Sequence, residues 1–424
     1  MWREFREHLQ LGRFVLKWFA LSALLAVVVG SAVAFFLVSL DYVTACHWRH
    51  PWLLYGLPLA GIVTGWVYAS WGGGSDRGNN LILEQIHEPG GGVPRRMAPL
   101  VLIGTLVTHL FGGSAGREGT AVQMGGSLAS TVGRLLGLRP TDMRLFLMAG
   151  VAAGFGAVFG TPLAGAVFAL EVLTRGRLHY EALVPCLLSA VMADHVTTAW
   201  GVSHSHYDIE YGRELRGVTN WDWRLFGKVV LASVAFGAAS VLFVASTHRV
   251  QRGLQRWVSR TWLRPAVGGA LVVVLALVID GRDYLGLGVA APPDSPNAVT
   301  IASCFHLGGA GLWSWWWKLA LTALTVGSGF KGGEVTPLFF IGAALGNAMA
   351  QLLGAPVDLF AGLGFVAVFA GATNTPLACT IMAIELFAPG HGALLEADFV
   401  IYVATACFLS YFLSGPRSIY ASQK

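Results

Sequence analysis

Two glutamates of this chain occupy positions where a charge is costly. Residues 112–130 read GGSAGREGTAVQMGGSLAS, and Arg117 and Glu118 stand between glycines where one apolar run ends and the next begins. Residues 332–336 read GGEVT, so the pattern Gly-x-Glu-x-Thr occurs twice, with a glycine eight residues beyond each glutamate (Gly126 and Gly342). Glycines ahead of a fresh apolar run read as a loop entering a helix N-terminus. Such an end presents free N–H groups and about half a unit of positive charge. Two of them facing one cavity make an anion site without a full cation. A carboxylate there has two roles open to it. It is a fixed helix cap, or it is a tethered anion that competes with a soluble one and swings away once protonated. Ionisable residues within membrane segments are functional by default, and function is the expectation for Glu118 and Glu334. Residues 75–89, SDRGNNLILEQIHEP, supply a third candidate end: Gly78, Asn79 and Asn80 open a short helix, and the asparagine amides add donors.

The elements that must position these groups lie in a bilayer. The chain of 424 residues is 55% hydrophobic and 12% charged, with mean hydropathy +0.61. Soluble domains carry about 25% charged residues. Residues 18–40, 51–75, 97–116, 145–170, 335–357 and 359–384 each lack Asp, Glu, Lys and Arg. A membrane-crossing helix needs about 20 such residues, so the fold class is an all-α polytopic membrane protein. Segments 79–86 and 266–279 read as too short to span. Glycine, at 54 residues, is abundant, which fits close helix packing and helices interrupted where backbone lines a cavity. That is the pattern of a transporter with discontinuous helices.

A second repeat reinforces the first. TPLA occurs at 161–164 and at 375–378, each followed by an acid nine residues after its proline, Glu171 and Glu385. A structural job is expected of this pair. The two matches predict a first membrane repeat over 1–202, a polar linker over 203–219 and a second repeat over 220–424. They further predict that Glu118 and Glu334 approach one another across a pseudo-two-fold axis.

These residues resemble the CLC family of chloride channels and proton-coupled anion transporters. GREGT is similar to the family's GREGP, whose glutamate gates the pore. GGEVTPLFFIGAALG resembles its second anion-binding motif, and SGPRSIY the segment bearing the central tyrosine, here Tyr420. The serine of the family's GSGIP falls at Arg77 of DRGNN, and the inner proton-transfer glutamate of the chloride antiporters falls at Val172. GREGT, GGEVTP and Asn-Asn together are similar to the fluoride-exporting branch, the CLC-type fluoride/proton antiporters. The resemblance implies a fold of two inverted-topology repeats with broken and tilted helices. It also implies gating and proton transfer by Glu118, aided by Glu334 and Thr336. Anion contacts would come from Gly78, Asn79, Asn80, Gly116, Gly119, Thr120, Val335 and Tyr420. Without an acid at Val172, water or Glu334 with Thr336 would complete the inner proton route, or Glu334 would tune the site by local hydrogen bonds.

The function expected is export of fluoride in exchange for protons, with a chloride/proton antiporter or chloride channel of the same fold as the alternative. Fluoride is small and strongly hydrated, so its site must replace that shell with strong donors. No HExxH or Asp-rich motif accompanies the acids, which argues against an enzyme. No cofactor or metal is called for: the five cysteines are scattered, and His47/His50 and His204/His206 sit in polar loops. A net charge of +5 gives no sign of nucleic-acid binding. Arg3, Arg6, Arg13 and Lys17 precede the first apolar run and Arg417 and Lys424 follow the last, so both termini are expected in the cytoplasm and the protein in a bacterial inner membrane. The resemblance implies a homodimer. Segments 145–172, 180–200 and 361–387 are its expected interface.

Overall fold

A computed structural model describes residues 2–424 except 89, 206, 212–220, 294 and 388–396, and no side chains before residue 12 or at 397. His206, residues 212–219 of the expected linker and the side chains of Arg3 and Arg6 therefore lie outside the described residues. Helices α1 (Trp2–Arg49), α2 (Leu57–Trp71), α3 (Asn79–His87), α4 (Met97–Leu110), α5 (Glu118–Leu135), α6 (Pro140–Phe159), α7 (Pro162–Glu171) and α8 (Leu183–Ala199) form the first half. The second half comprises α9 (Trp223–Trp257), α10 (Arg264–Val278), α11 (Ser314–Gly327), α12 (Val335–Leu353), α13 (Val357–Thr373), α14 (Pro376–Phe387) and α15 (Ala397–Ser414).

The halves share a pattern of neighbours. α1 packs on α4, α5, α6 and α8, and α9 packs on α11, α12, α13 and α15. α5 lies against α6 and α6 against α7, as α12 lies against α13 and α13 against α14. The local chemistry recurs too. Gly160 and Asn374, both in the left-handed region, end α6 and α13. A threonine and then a proline follow each, and Pro162 and Pro376 open α7 and α14, where proline loses no hydrogen bond. Close crossings are made by small residues: a Cβ on Gly125 would strike Gly150, and one on Gly342 would strike Gly364.

Among the described residues, seven helical stretches are long and apolar enough to cross a membrane. One of them corrects the sequence reading of 266–279 as too short. The 3-10 turn Thr261–Leu263 runs into α10, and the joined stretch Thr261–Val278 qualifies. The expected interface is also corrected in part. α6 is buried without a break from Phe146 to Phe159, and α13 from Leu359 to Thr373. They form the centre of the chain itself. α8 does present exposed side chains, Leu183 and Val184 among them.

Candidate functional site

The two Gly-x-Glu-x-Thr motifs meet. Gly116 N–H donates to the Gly333 carbonyl and Gly333 N–H to the Gly116 carbonyl, each at 2.6 Å. This pair of bonds sets the N-termini of α5 and α12 side by side. The approach is close enough that a Cβ on Gly333 would lie 2.7 Å from Gly119 N.

Glu118, in the first turn of α5, sends its carboxylate across this seam. Its Oε2 accepts from the backbone N–H of Thr336 at 3.1 Å and of Arg117 at 3.0 Å. The Thr336 hydroxyl donates to its Oε1. Arg117 Nε stands 3.7 Å from the same oxygen, while Nε itself has no hydrogen-bond acceptor. Glu118 is 1% exposed. A carboxylate held this way occupies donors that would equally serve a soluble anion: free N–H groups at the start of α12, a hydroxyl and a nearby guanidinium.

Two cavities flank the motifs, and the boundary between them falls inside each motif. A cavity of about 640 Å³ is lined by Gly119, Glu334 and Val335 together with Gly78, Asn79 and Tyr420. A much smaller one is lined by Arg117, Glu118 and Thr336 with Ser205, Tyr207 and Phe339. The step from Glu118 to Gly119, and that from Val335 to Thr336, thus passes from one cavity to the other. The expectation that Glu118 and Glu334 approach one another holds for the motifs but not for where their side chains go. Glu118 reaches Thr336, two residues past Glu334, whereas Glu334 lines the large cavity and, among the described residues, its side chain makes no hydrogen bond or ion pair.

The remaining expected residues divide. Gly78, with φ +56°, opens α3, and the Asn79 amide nitrogen reaches to within contact distance of a Cβ built on Gly119. The Tyr420 ring packs edge-on to Phe168, 6.4 Å between centroids, at the wall of the large cavity. Asn80 also lines that cavity, but its side-chain oxygen accepts from Ser422 N–H at 3.0 Å. Gly116 spends its N–H on Gly333 and has none to offer an anion. Thr120 is not brought to either of these cavities: its buried hydroxyl pairs with that of Thr105 on α4, 2.7 Å away. Arg77 turns to an ion pair with Glu84 one turn along α3. Val172, where chloride antiporters would carry the inner acid, is buried.

Sequence reasoning passed over Lys331, Tyr68 and Gln123, all of which line the large cavity. Lys331 was within reach, since it stands three residues before Glu334 in KGGEVT.

Paired helix N-termini beside a buried carboxylate and two cavities, in a chain with membrane-length apolar helices, are the arrangement of a membrane transport protein. The pattern of the Voltage gated chloride channel family matches residues 60–415. The chain belongs to that family. It is 47% identical over 424 residues to a Chloride/fluoride channel protein of Pseudomonas syringae pv. tomato, covering 99% of this chain and 88% of that one. It is 28% identical over 306 residues to an H(+)/Cl(-) exchange transporter of Yersinia pestis, covering 69% and 61%. The crystal structure of a CLC-type fluoride/proton antiporter superposes with TM-score 0.87 at 33% identity, covering 96% of this chain and 98% of that one. A slow cyanobacterial Cl-/H+ antiporter superposes at TM-score 0.75 with 18% identity, a likeness of fold alone.

Proposed function

We propose that this protein exports fluoride across the bacterial inner membrane in exchange for protons, with Glu118 as gate and proton carrier. The observation that carries the reading is the Glu118 carboxylate bound at the N-terminus of α12 by Thr336 N–H and Oγ1–H. In that position it is the anion in the path. A proton arriving at Glu118 neutralises the carboxylate and weakens both bonds from Thr336, because a charged acceptor holds a donor about twice as strongly as a neutral one. The protonated side chain then leaves, and the freed donors take fluoride. Return of the side chain as carboxylate releases the proton on the other side and displaces the anion. An inward proton gradient thereby drives fluoride out.

The large cavity is the cytoplasmic vestibule in this reading: its wall includes Ile419 and Tyr420, next to a C-terminal segment whose basic residues favour the cytoplasmic side. Glu334, unpaired in that wall, is the group available to pass protons between Glu118 and the vestibule. The two membrane repeats, 1–202 and 220–424 with a linker over 203–219, each contribute one Gly-x-Glu-x-Thr end. Two copies of the chain form a homodimer with one pathway each. The 33% identity to a fluoride/proton antiporter over nearly the whole chain supports fluoride as the anion.

The experiment is anion efflux from proteoliposomes loaded with fluoride or with chloride, with external pH recorded. Fast fluoride efflux with stoichiometric proton uptake and little chloride flux is expected. Comparable chloride flux would make the protein a general CLC anion transporter. Glu118→Gln is expected to abolish proton uptake, and if that variant still coupled protons to anion flux the mechanism would be wrong.

A further inference from the structure

We propose that Lys331 forms a separate anion-capture site in the vestibule wall, ahead of the Glu118 gate, that recruits small hydrated monovalent anions. This rests on the reading of the large cavity as the side from which anions enter. The residue is placed with care. Its stem runs along α4, where only glycine fits: a Cβ on Gly104 would lie 2.9 Å from Lys331 Cγ. Its ammonium lies over the Tyr68 ring, 4.2 Å from the centroid. Lys331 and Tyr68 both line the 640 Å³ cavity that also holds Glu334, Asn79 and Tyr420. Two other cations line that wall. Arg77 pairs with Glu84, and Arg264 Nε donates to the Val258 carbonyl. Among the described residues, no carboxylate stands within 4.0 Å of Lys331, and no hydrogen bond is made by its ammonium.

The charge balance explains why such a site is needed. An anion moving from the vestibule to the gate meets Glu334 and then the Glu118 carboxylate, both of its own sign. Asp76 lines the same wall and acts on Lys331 through space, but among the described residues no carboxylate contacts the ammonium, so a cation held by an aromatic face and not ion-paired offsets that repulsion and raises the local anion concentration. A lysine suits this step better than an arginine fork, since a compact ammonium attracts a hydrated ion without demanding a planar partner. Tyr68 holds the ammonium without neutralising it.

The test measures initial efflux rate against internal anion concentration in proteoliposomes, for fluoride and for chloride, in wild type, Lys331→Gln and Lys331→Arg. Charge-lined clefts raise capture rates by about 10- to 1000-fold. Lys331→Gln is therefore expected to raise the apparent KM about tenfold, with turnover at saturating anion kept within about twofold. Lys331→Arg is expected to keep most of the wild-type KM. In wild type the apparent KM is expected to rise with the ionic strength of an impermeant salt, and in Lys331→Gln to be flat. An unchanged KM in Lys331→Gln, a loss confined to turnover, or a wild-type KM indifferent to ionic strength would each overturn the proposal. The wild-type salt series needs no variant to fold. If wild type moves chloride in place of fluoride, the fluoride reading fails while the capture site is still tested, on chloride.

Discussion

Glu171 and Glu385 cap each other's helices. Glu385, on α14, accepts from the N–H groups of Leu163 and Ala164 at the start of α7, at 2.9 and 2.7 Å. Glu171, the last residue of α7, accepts from Leu377 and Ala378 at the start of α14, at 3.1 and 2.8 Å. Each short helix thus carries in its last turn the acid that satisfies the other's orphan donors. An exposed helix start would use water; one packed among apolar helices has to find its acceptors within the protein.

Removing either acid leaves two donors without acceptors. Each costs about 1–3 kcal/mol when buried, so Glu171→Ala is expected to lower stability by a few kcal/mol. Thermal unfolding in detergent should show the loss. The fraction that folds should still exchange fluoride for protons within about twofold of wild type, because neither acid lines the cavities at Glu118. A coupling defect in folded Glu171→Ala would mean that this pair belongs to the proton route.

Thr336 contributes two bonds to the gate, and a substitution can separate them. Thr336→Val keeps the backbone N–H but removes the hydroxyl that donates to Glu118. A hydrogen bond to a charged group is worth about 1.5–3 kcal/mol, a tenfold to hundredfold change in how often the carboxylate is out of its site. The expected outcome is anion leak without matching proton uptake, seen as a falling proton-to-fluoride ratio. Thr336→Ser restores the donor and should restore the ratio. Equal ratios in all three proteins would remove the hydroxyl from the gating scheme.

Much of this site was legible in the sequence for a physical reason. A carboxylate between glycines in an apolar chain has few uses, and its recurrence at Glu334 marked both helix ends that form the seam. The TPLA repeat likewise marked the paired starts of α7 and α14, although nothing in the letters showed that the acid of one would cap the other. What remained hidden was direction. Thr120 and Thr336 occupy equivalent places in their motifs, yet one turns to Thr105 and the other to Glu118. That difference depends on which helix lies behind each motif. Burial was hidden as well. An uncharged run reads the same against lipid, against a second subunit or inside the chain, so α6 and α13 passed for surface when they are core. α10 was underestimated because the residues that extend it, Thr261–Leu263, follow Arg260 and precede Arg264, a flank that reads as a loop.

The seam itself tolerates no side chain. Gly333 carries the paired backbone bonds to Gly116, and a methyl group there would press on Gly119 N at 2.7 Å and on Glu118 N at 3.1 Å. The neighbours are backbone and cannot rotate away. Overpacking of this kind costs about 1–3 kcal/mol, and the strain falls on the helix ends that hold the gate. Gly333→Ala is expected to reduce fluoride exchange at least tenfold while leaving some folded protein recoverable by size-exclusion chromatography. Wild-type rates in that variant would show that the two ends need not touch for transport.

Tyr420 reaches the vestibule from a segment that is tied down behind it, and the knot is Gln423. The Gln423 amide donates to the carbonyls of Val172 at 3.1 Å and Thr373 at 3.0 Å, and its oxygen accepts from the Asn374 amide at 2.9 Å. One residue so joins the C-terminal end of α7 to that of α13, and its own N–H donates to the Tyr420 carbonyl at 3.2 Å. Gln423→Leu has a similar size but none of these bonds, and it strands two carbonyls. If Gln423 acts on transport by positioning Tyr420, its loss should raise the apparent fluoride KM several-fold. The double variant Gln423→Leu, Tyr420→Phe should then be no worse than Tyr420→Phe alone, since residues in one network are not additive. Additive losses would instead mean that Gln423 serves stability only, and that Tyr420 keeps its place through its packing on Phe168.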